Sequence, residues 1–168
     1  LIRADASREI GTGHIMRCLA LANVARQRDW ECTFVLRDPE RDMVNYIASF
    51  DHRVERLLSG VNDENFFLCG TAHGQCLPVS QIQDANETLS FAYDLRPDWV
   101  IVDHYSLDYR WLSLFKQCDA KVLVIDDLGD RNLICDILLD QNLGANAEKY
   151  EGKLLSNSRL LLGPAFAL

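Results

Sequence analysis

Hydrophobic positions along this chain fall into short unbroken runs separated by segments of helical period. Trp99-Val100-Ile101-Val102, Lys121 to Ile125 (KVLVI) and Ile137-Leu138-Leu139 show no polar alternation. Runs of this kind belong to strands buried on both faces, as in a parallel sheet between helices. Leu1 to Ala4, Glu31 to Leu36, Val54 to Leu57 and Leu160 to Leu162 read as further strands, the last ended by Gly163-Pro164. Ile15, Cys18, Leu19, Ala22 and Ala25 recur with helical spacing and predict a helix ending near Arg28-Asp29. Asp38-Pro39-Glu40 opens a second helix, with Met43, Ile47 and Phe50 on its apolar face. Ser80 caps a third from about Gln81 to Leu95, with Ile82, Ala85, Leu89 and Ala92 or Tyr93 facing inward. Leu107 to Gln117 is a fourth, carrying Trp111, Leu114 and Phe115. Gly60 to Val79 reads as a surface excursion with a short strand at Cys76 to Val79. Strand and helix signals alternate, which predicts a doubly wound α/β domain with a parallel sheet.

Composition narrows this reading without changing it. The 168 residues are 48% hydrophobic and 25% charged, which suits one domain with a real core. A formal charge of -8 argues against nucleic acid as a partner, because a phosphate backbone needs a basic surface. A phosphorylated small molecule needs only a local positive site. Cys18, Cys32, Cys69, Cys76, Cys118 and Cys135 form no C-x-x-C pair and mostly sit in apolar runs, so they read as buried thiols of a reducing cytoplasm. No apolar run reaches transmembrane length and no signal peptide is visible, so no membrane partner is expected.

In a doubly wound sheet ligands sit beyond the carboxyl ends of the strands. Three polar clusters are expected there: Asp5 to His14, Asp103-His104-Tyr105, and Asp126-Asp127. The first holds Arg3, Asp5, Ser7, Gly11, Thr12, Gly13, His14 and Arg17 around one loop leading into a helix. Glycines let an anion approach backbone N–H groups at a helix start. A neutral imidazole there can take a proton from water, with Asp5 orienting it or holding substrate. Arg17, one turn on, can neutralise a phosphate or pair with an acidic neighbour. Gly11-Thr12-Gly13-His14 is neither G-x-G-x-x-G nor a Walker A loop, which argues against NAD and ATP. Asp103 and His104 can shape a sugar pocket and Tyr105 can hydrogen-bond or stack on a ring, or Asp103 can cap a turn. Asp126-Asp127 can bind metal, but no companion ligands stand at fixed spacing, so a helix or loop cap is favoured. His52 and His73 are expected to be solvated. No G-x-S-x-G elbow is present.

Arg3-Ala4-Asp5-Ala6-Ser7 followed by Ile10 to Leu19 (IGTGHIMRCL) resembles the start of the hydrolases that cleave UDP-2,4-diacetamido-2,4,6-trideoxy-β-L-altropyranose in pseudaminic acid biosynthesis. Pro97 to Asp108 (PDWVIVDHYSLD), Val124 to Arg131, Cys135 to Asn142 and Leu161-Leu162-Gly163-Pro164 extend the resemblance over nearly the whole chain. Asn132-Leu133-Ile134 lacks a histidine common in that family, and Phe166 stands where tyrosine is expected. The resemblance implies a two-domain, glycosyltransferase-B-type fold, with residues 1–168 as its Rossmann-like N-terminal half. The other half, which supplies most of the UDP site, is expected to be absent from this chain, leaving a weakly active or inactive domain. It implies His14 as general base, a UDP-sugar as substrate, and no metal or organic cofactor. Water would attack the anomeric carbon with inversion, releasing free sugar and UDP. Arg3, Asp5, Ser7, Gly11, Thr12, Gly13, Arg17, Asp103, His104, Tyr105 and Asp127 are the candidate substrate-binding residues. Two alternatives are a UDP-sugar glycosyltransferase and a non-catalytic polysaccharide or spore-coat assembly protein of the same fold.

Overall fold

The computed structural model describes residues 1–6, 11–59 and 77–168. Its strands are β1 (Ile2–Ala4), β2 (Thr33–Arg37), β3 (Arg53–Leu57), β4 (Trp99–Asp103), β5 (Lys121–Ile125), β6 (Ile137–Asp140) and β7 (Arg159–Leu162). Its helices are α1 (Gly13–Arg26), α2 (Arg41–Ala48), α3 (Gln81–Leu95) and α4 (Tyr109–Phe115). The strands form one seven-stranded sheet in the order β3-β2-β1-β4-β5-β6-β7, and every pairing is parallel. This is a doubly wound, Rossmann-like α/β fold. The chain runs from β1 out to β3, then returns to the other side of β1 for β4. The strand order therefore reverses between β1 and β4, which is where such sheets open a ligand crevice.

The unbroken apolar runs are explained by cover on both faces. Val100, Val102, Val122, Val124 and Leu138 point to a core shared with Ala85, Leu89, Trp111 and Phe115 of α3 and α4. Ile2, Ala4, Phe34, Leu36, Ile125 and Leu139 point to the opposite core, against Ile15, Cys18 and Leu19 of α1 and Ile47 of α2. Full burial of one such aliphatic or aromatic side chain stabilises the fold by about 1.5–3 kcal/mol. Trp111 is the largest of them; it stacks on Phe115 with ring centroids 4.2 Å apart.

Strand register aligns the functional edge. Ala4 pairs with Asp103, Val102 with Val124, and Ile125 with Leu139. Asp5, Asp103, Asp126-Asp127 and Asp140 thus emerge side by side from β1, β4, β5 and β6.

Several expectations need correction. In α3 the buried face is Gln81, Asp84, Ala85, Thr88, Leu89 and Ala92. Ile82 is 50% exposed and Tyr93 65% exposed. The cause is Asp84, drawn inward by Arg3 and Arg37 beneath the helix. Ile82, two residues earlier, then falls on the far side of the helix. His52 is buried rather than solvated, with Nε2 2.8 Å from Oδ1 of Asn23. Leu77 to Val79 forms no strand, and Cys76 and His73 lie outside the described residues. Helix α4 is shorter than its apolar pattern, because Asp108 caps it by accepting from the Arg110 amide.

Candidate functional site: a histidine–aspartate dyad at the strand-order reversal

His14 is the second residue of α1, and Asp103 is the last residue of β4. The helix begins after β1, so the two residues face each other across the β1–β4 boundary. Nδ1 of His14 lies 2.7 Å from Oδ1 of Asp103 and 3.1 Å from the Asp103 carbonyl oxygen. Both neighbours are acceptors, so Nδ1 carries the proton and donates it. In the neutral ring Nε2 then holds the lone pair. No hydrogen-bond partner among the described residues meets it. His14 is 5% exposed, and its ring lies edge-on to Tyr105 with centroids 4.6 Å apart.

Asp103 is fully buried, and nitrogen donors from two side chains secure it, with the Cys18 thiol 3.7 Å from Oδ2. Besides His14, it accepts from Nε of Arg17 and, at 2.5 Å, from Nη2 of Arg17. Burial alone would raise its pKa, but the hydrogen bonds from Arg17 and His14 outweigh that and hold it below the usual carboxylate value. Asp103 is therefore an anion at neutral pH. Arg17 shows the same contest: burial works against its charge, and the Asp103 carboxylate reverses the effect and raises its pKa.

Asp127 completes the rim. It accepts from the Tyr105 hydroxyl at 2.7 Å and from Asn142 at 3.3 Å, and it lies 3.7 Å from Nη1 of Arg17. Burial and the Asp127 carboxylate push the Tyr105 phenol up to about 12, so it remains a donor. The loop carrying Asp127 is pinned from below. Asp126 accepts from Arg131 at 2.6 Å and from the Gly129 amide at 2.8 Å, which bears out its role as a loop cap. Lys149 donates to the Asp127 carbonyl at 2.5 Å and to Asp140 at 2.8 Å.

Arg3, Asp5 and His104 belong to a different set of contacts. All three are buried and engaged with one another below the rim. Arg3 donates to Asp5 at 2.5 Å and to Asp84 at 2.7 Å. Arg37 joins through its backbone amide to Asp5 and its Nε to Asp84, and Trp111 Nε1 also donates to Asp84 at 2.8 Å. His104 accepts the Ser106 amide at Nδ1, so Nε2 carries its proton and donates to Asp5 at 3.0 Å. Both its nitrogens are occupied. Burial would raise the Asp5 pKa, but Arg3 and His104 lower it well below the usual range. The acid that meets His14 is thus Asp103, and Asp5 instead ties the β1 end to β2 and the β4 end.

Gly11, Thr12 and Gly13 are exposed beside the dyad at the start of α1. Gly11 has φ +77°, a conformation that favours glycine, and a Cβ at Gly11 or Gly13 would meet nothing within 4 Å among the described residues. The first turn of α1 holds no acidic residue, so the positive end of the helix is not offset locally. Ser7 lies outside the described residues. Among the described residues no group of three or more His, Cys, Asp or Glu side chains is placed to hold a metal ion. No helix there is long and apolar enough to cross a membrane. A cavity of about 1000 Å³ opens at the other end of the sheet, between Asn23, Trp30, Thr33, Phe50 and His52, and includes none of the dyad or rim residues.

Sequence reasoning missed Asp84, Arg37, Asn142 and Lys149. Asp84 reads as one more polar residue of an amphipathic helix, and Arg37 as a strand end. Asn142 alone carried a signal, since Asp140-Gln141-Asn142 follows an apolar run. No protein-family model matches the chain, and no curated protein matches it.

Proposed function

We propose that this domain hydrolyses a UDP-linked 2,4-diacetamido-2,4,6-trideoxy sugar, in pseudaminic acid biosynthesis, with His14 as the general base. One observation carries the chemical part of this reading: Nδ1 of His14 is bound to the buried Asp103 anion, and Nε2 meets no hydrogen-bond partner among the described residues at the strand-order reversal. The sugar identity rests on the sequence motifs that resemble the pseudaminic acid pathway hydrolases.

Nε2 takes a proton from water as the water oxygen attacks the anomeric carbon. The bond from that carbon to the phosphate oxygen breaks, and its electron pair leaves with UDP. Attack from the face opposite the leaving group inverts the anomeric centre. The imidazolium so formed is stabilised by Asp103, whose charge is already in place before the reaction. Amides of the Gly11-Thr12-Gly13 loop and the positive end of α1 suit the diphosphate charge that grows on the leaving group. In this reading a second domain of similar build holds the uridine end, as in the family that the motifs resemble. This domain contributes the base, and it acts inside the cytoplasm.

The assay uses the full-length product with the UDP-sugar and no acceptor. Release of UDP, with the first-formed anomer inverted by proton NMR, is expected for the wild type. His14→Gln is expected to lower the rate by about 10²–10⁴-fold. Turnover that starts only when an acceptor alcohol is added identifies a transferase. Unchanged release by His14→Gln removes His14 as base.

A further inference from the structure

Arg17 offers two readings from sequence, a phosphate ligand or the partner of an acid. All three of its guanidinium nitrogens address carboxylates. Nε and Nη2 grip both oxygens of Asp103, and Nη1 lies 3.7 Å from Asp127. The side chain is only 14% exposed. An incoming phosphate would therefore meet a cation already offset by two anions.

We propose that Arg17 is a positioning residue for the base: it locks the Asp103 carboxylate against Nδ1 of His14 and offsets that carboxylate's charge. The inference rests on His14 being the base. The two-point grip leaves the carboxylate one orientation, with Oδ1 turned to His14. The charge matters as much. A lone buried aspartate would favour imidazolium and remove the acceptor at Nε2. With Arg17 beside it the Asp103–Arg17 pair is near neutral, and Nδ1 of His14 remains fixed against it. The charged and titratable groups facing the dyad among the described residues are Arg17 and Cys18 from α1, Asp103 from β4, Tyr105 from the connection after β4, and Asp127 from the end of β5. Arg17 is the cation among them.

Two variants test this in the full-length protein with the UDP-sugar. Arg17→Gln is expected to lower kcat at least ~10-fold with KM within about twofold. The acid limb of its kcat/KM profile is expected to move to higher pH, because uncompensated Asp103 favours the imidazolium. Arg17→Lys retains the charge, is expected to keep the limb near the wild type, and covers the case in which the glutamine variant fails to fold. A second readout needs no turnover: imidazole 15N resonances of His14, assigned by their loss in His14→Gln. Their titration midpoint is expected to rise in Arg17→Gln and to return towards the wild type in Arg17→Lys. A large rise in KM with kcat and the acid limb unchanged overturns the proposal in favour of a phosphate ligand. An unmoved His14 midpoint in Arg17→Gln also overturns it. Should His14→Gln retain turnover, the general-base reading falls, and the ring titration in the free protein still decides what Arg17 does to His14.

Discussion

Nδ1 of His14 lies 2.7 Å from Oδ1 of Asp103, although 89 residues separate them in the chain. One stands at the start of the helix after β1 and the other at the end of β4. Only the reversal of strand order between those strands makes them neighbours. The pairing gives the imidazole one fixed donor and leaves Nε2 without a partner among the described residues.

Asp103→Asn tests the orienting role directly. The variant keeps the size of the side chain but loses the anion that stabilises the imidazolium. Turnover is expected to fall by about 10²–10⁴-fold. A thermal melt run alongside shows whether the domain is still folded at the assay temperature. A rate within a factor of two of the wild type would sink the dyad.

Asp84 is the centre of the buried ionic network, with Arg3, Arg37 and Trp111 all donating to it. Removing one partner of a buried pair leaves charge without compensation, which costs roughly 3–5 kcal/mol. Asp84→Ala is expected to lose about that much in urea denaturation. A loss below ~1 kcal/mol would mean that water or rearranged partners replace the carboxylate.

The acid side of the stability profile follows from the same carboxylates. Asp5, Asp84 and Asp103 are all held below the ordinary value of 3.8, each by paired cations or donors that outweigh the burial penalty. The unfolded chain therefore takes up protons first as pH falls. The stabilisation is complete above the ordinary carboxylate value and is lost as pH drops through the lowered folded values. Urea midpoints are expected to be level between about pH 6 and 7 and to decline below roughly pH 4–5. Asp84→Asn is expected to decline less steeply. A midpoint as high at pH 3 as at pH 7 contradicts this account.

Two glycines separate fold from site. Gly129 has φ +60°, and an added Cβ would stand 2.6 Å from Cγ of Lys149 and 3.1 Å from its carbonyl oxygen. Gly129→Ala is expected to destabilise by about 1–3 kcal/mol, since strain and collision act together. Gly13 is helical and exposed, and a Cβ added there meets nothing within 4 Å among the described residues. Gly13→Ala is expected to leave the melting temperature within a few degrees, while its methyl group obstructs an anion at the helix start and raises KM. Both effects are read from melting curves and steady-state rates; a destabilised Gly13→Ala with unchanged KM reverses the assignment.

The architecture was legible because burial on both faces leaves a plain mark. A strand such as Val122-Leu123-Val124 is apolar at every position only when helices cover each side. Ser80 marked the start of α3, since a hydroxyl that accepts a backbone amide there satisfies a helix end. The inward face of α3 was not legible. Asp84 is drawn in by arginines on β1 and β2, and no local pattern reports partners 81 and 47 residues away.

The sequence by itself determined the parallel α/β class, the clustering of polar residues after the strands, and His14 as the group to watch. Hydrophobic period and turn chemistry are local properties, so a linear reading reaches them. Only the tertiary structure decided which carboxylate serves which cation. It gave Asp103 to His14 and Arg17, placed Asp5 in the buried network with Arg3 and His104, and turned Asp127 towards Tyr105. Those pairings depend on strand order and register across the sheet, which bring distant residues within hydrogen-bond reach and leave no trace in their sequence neighbours.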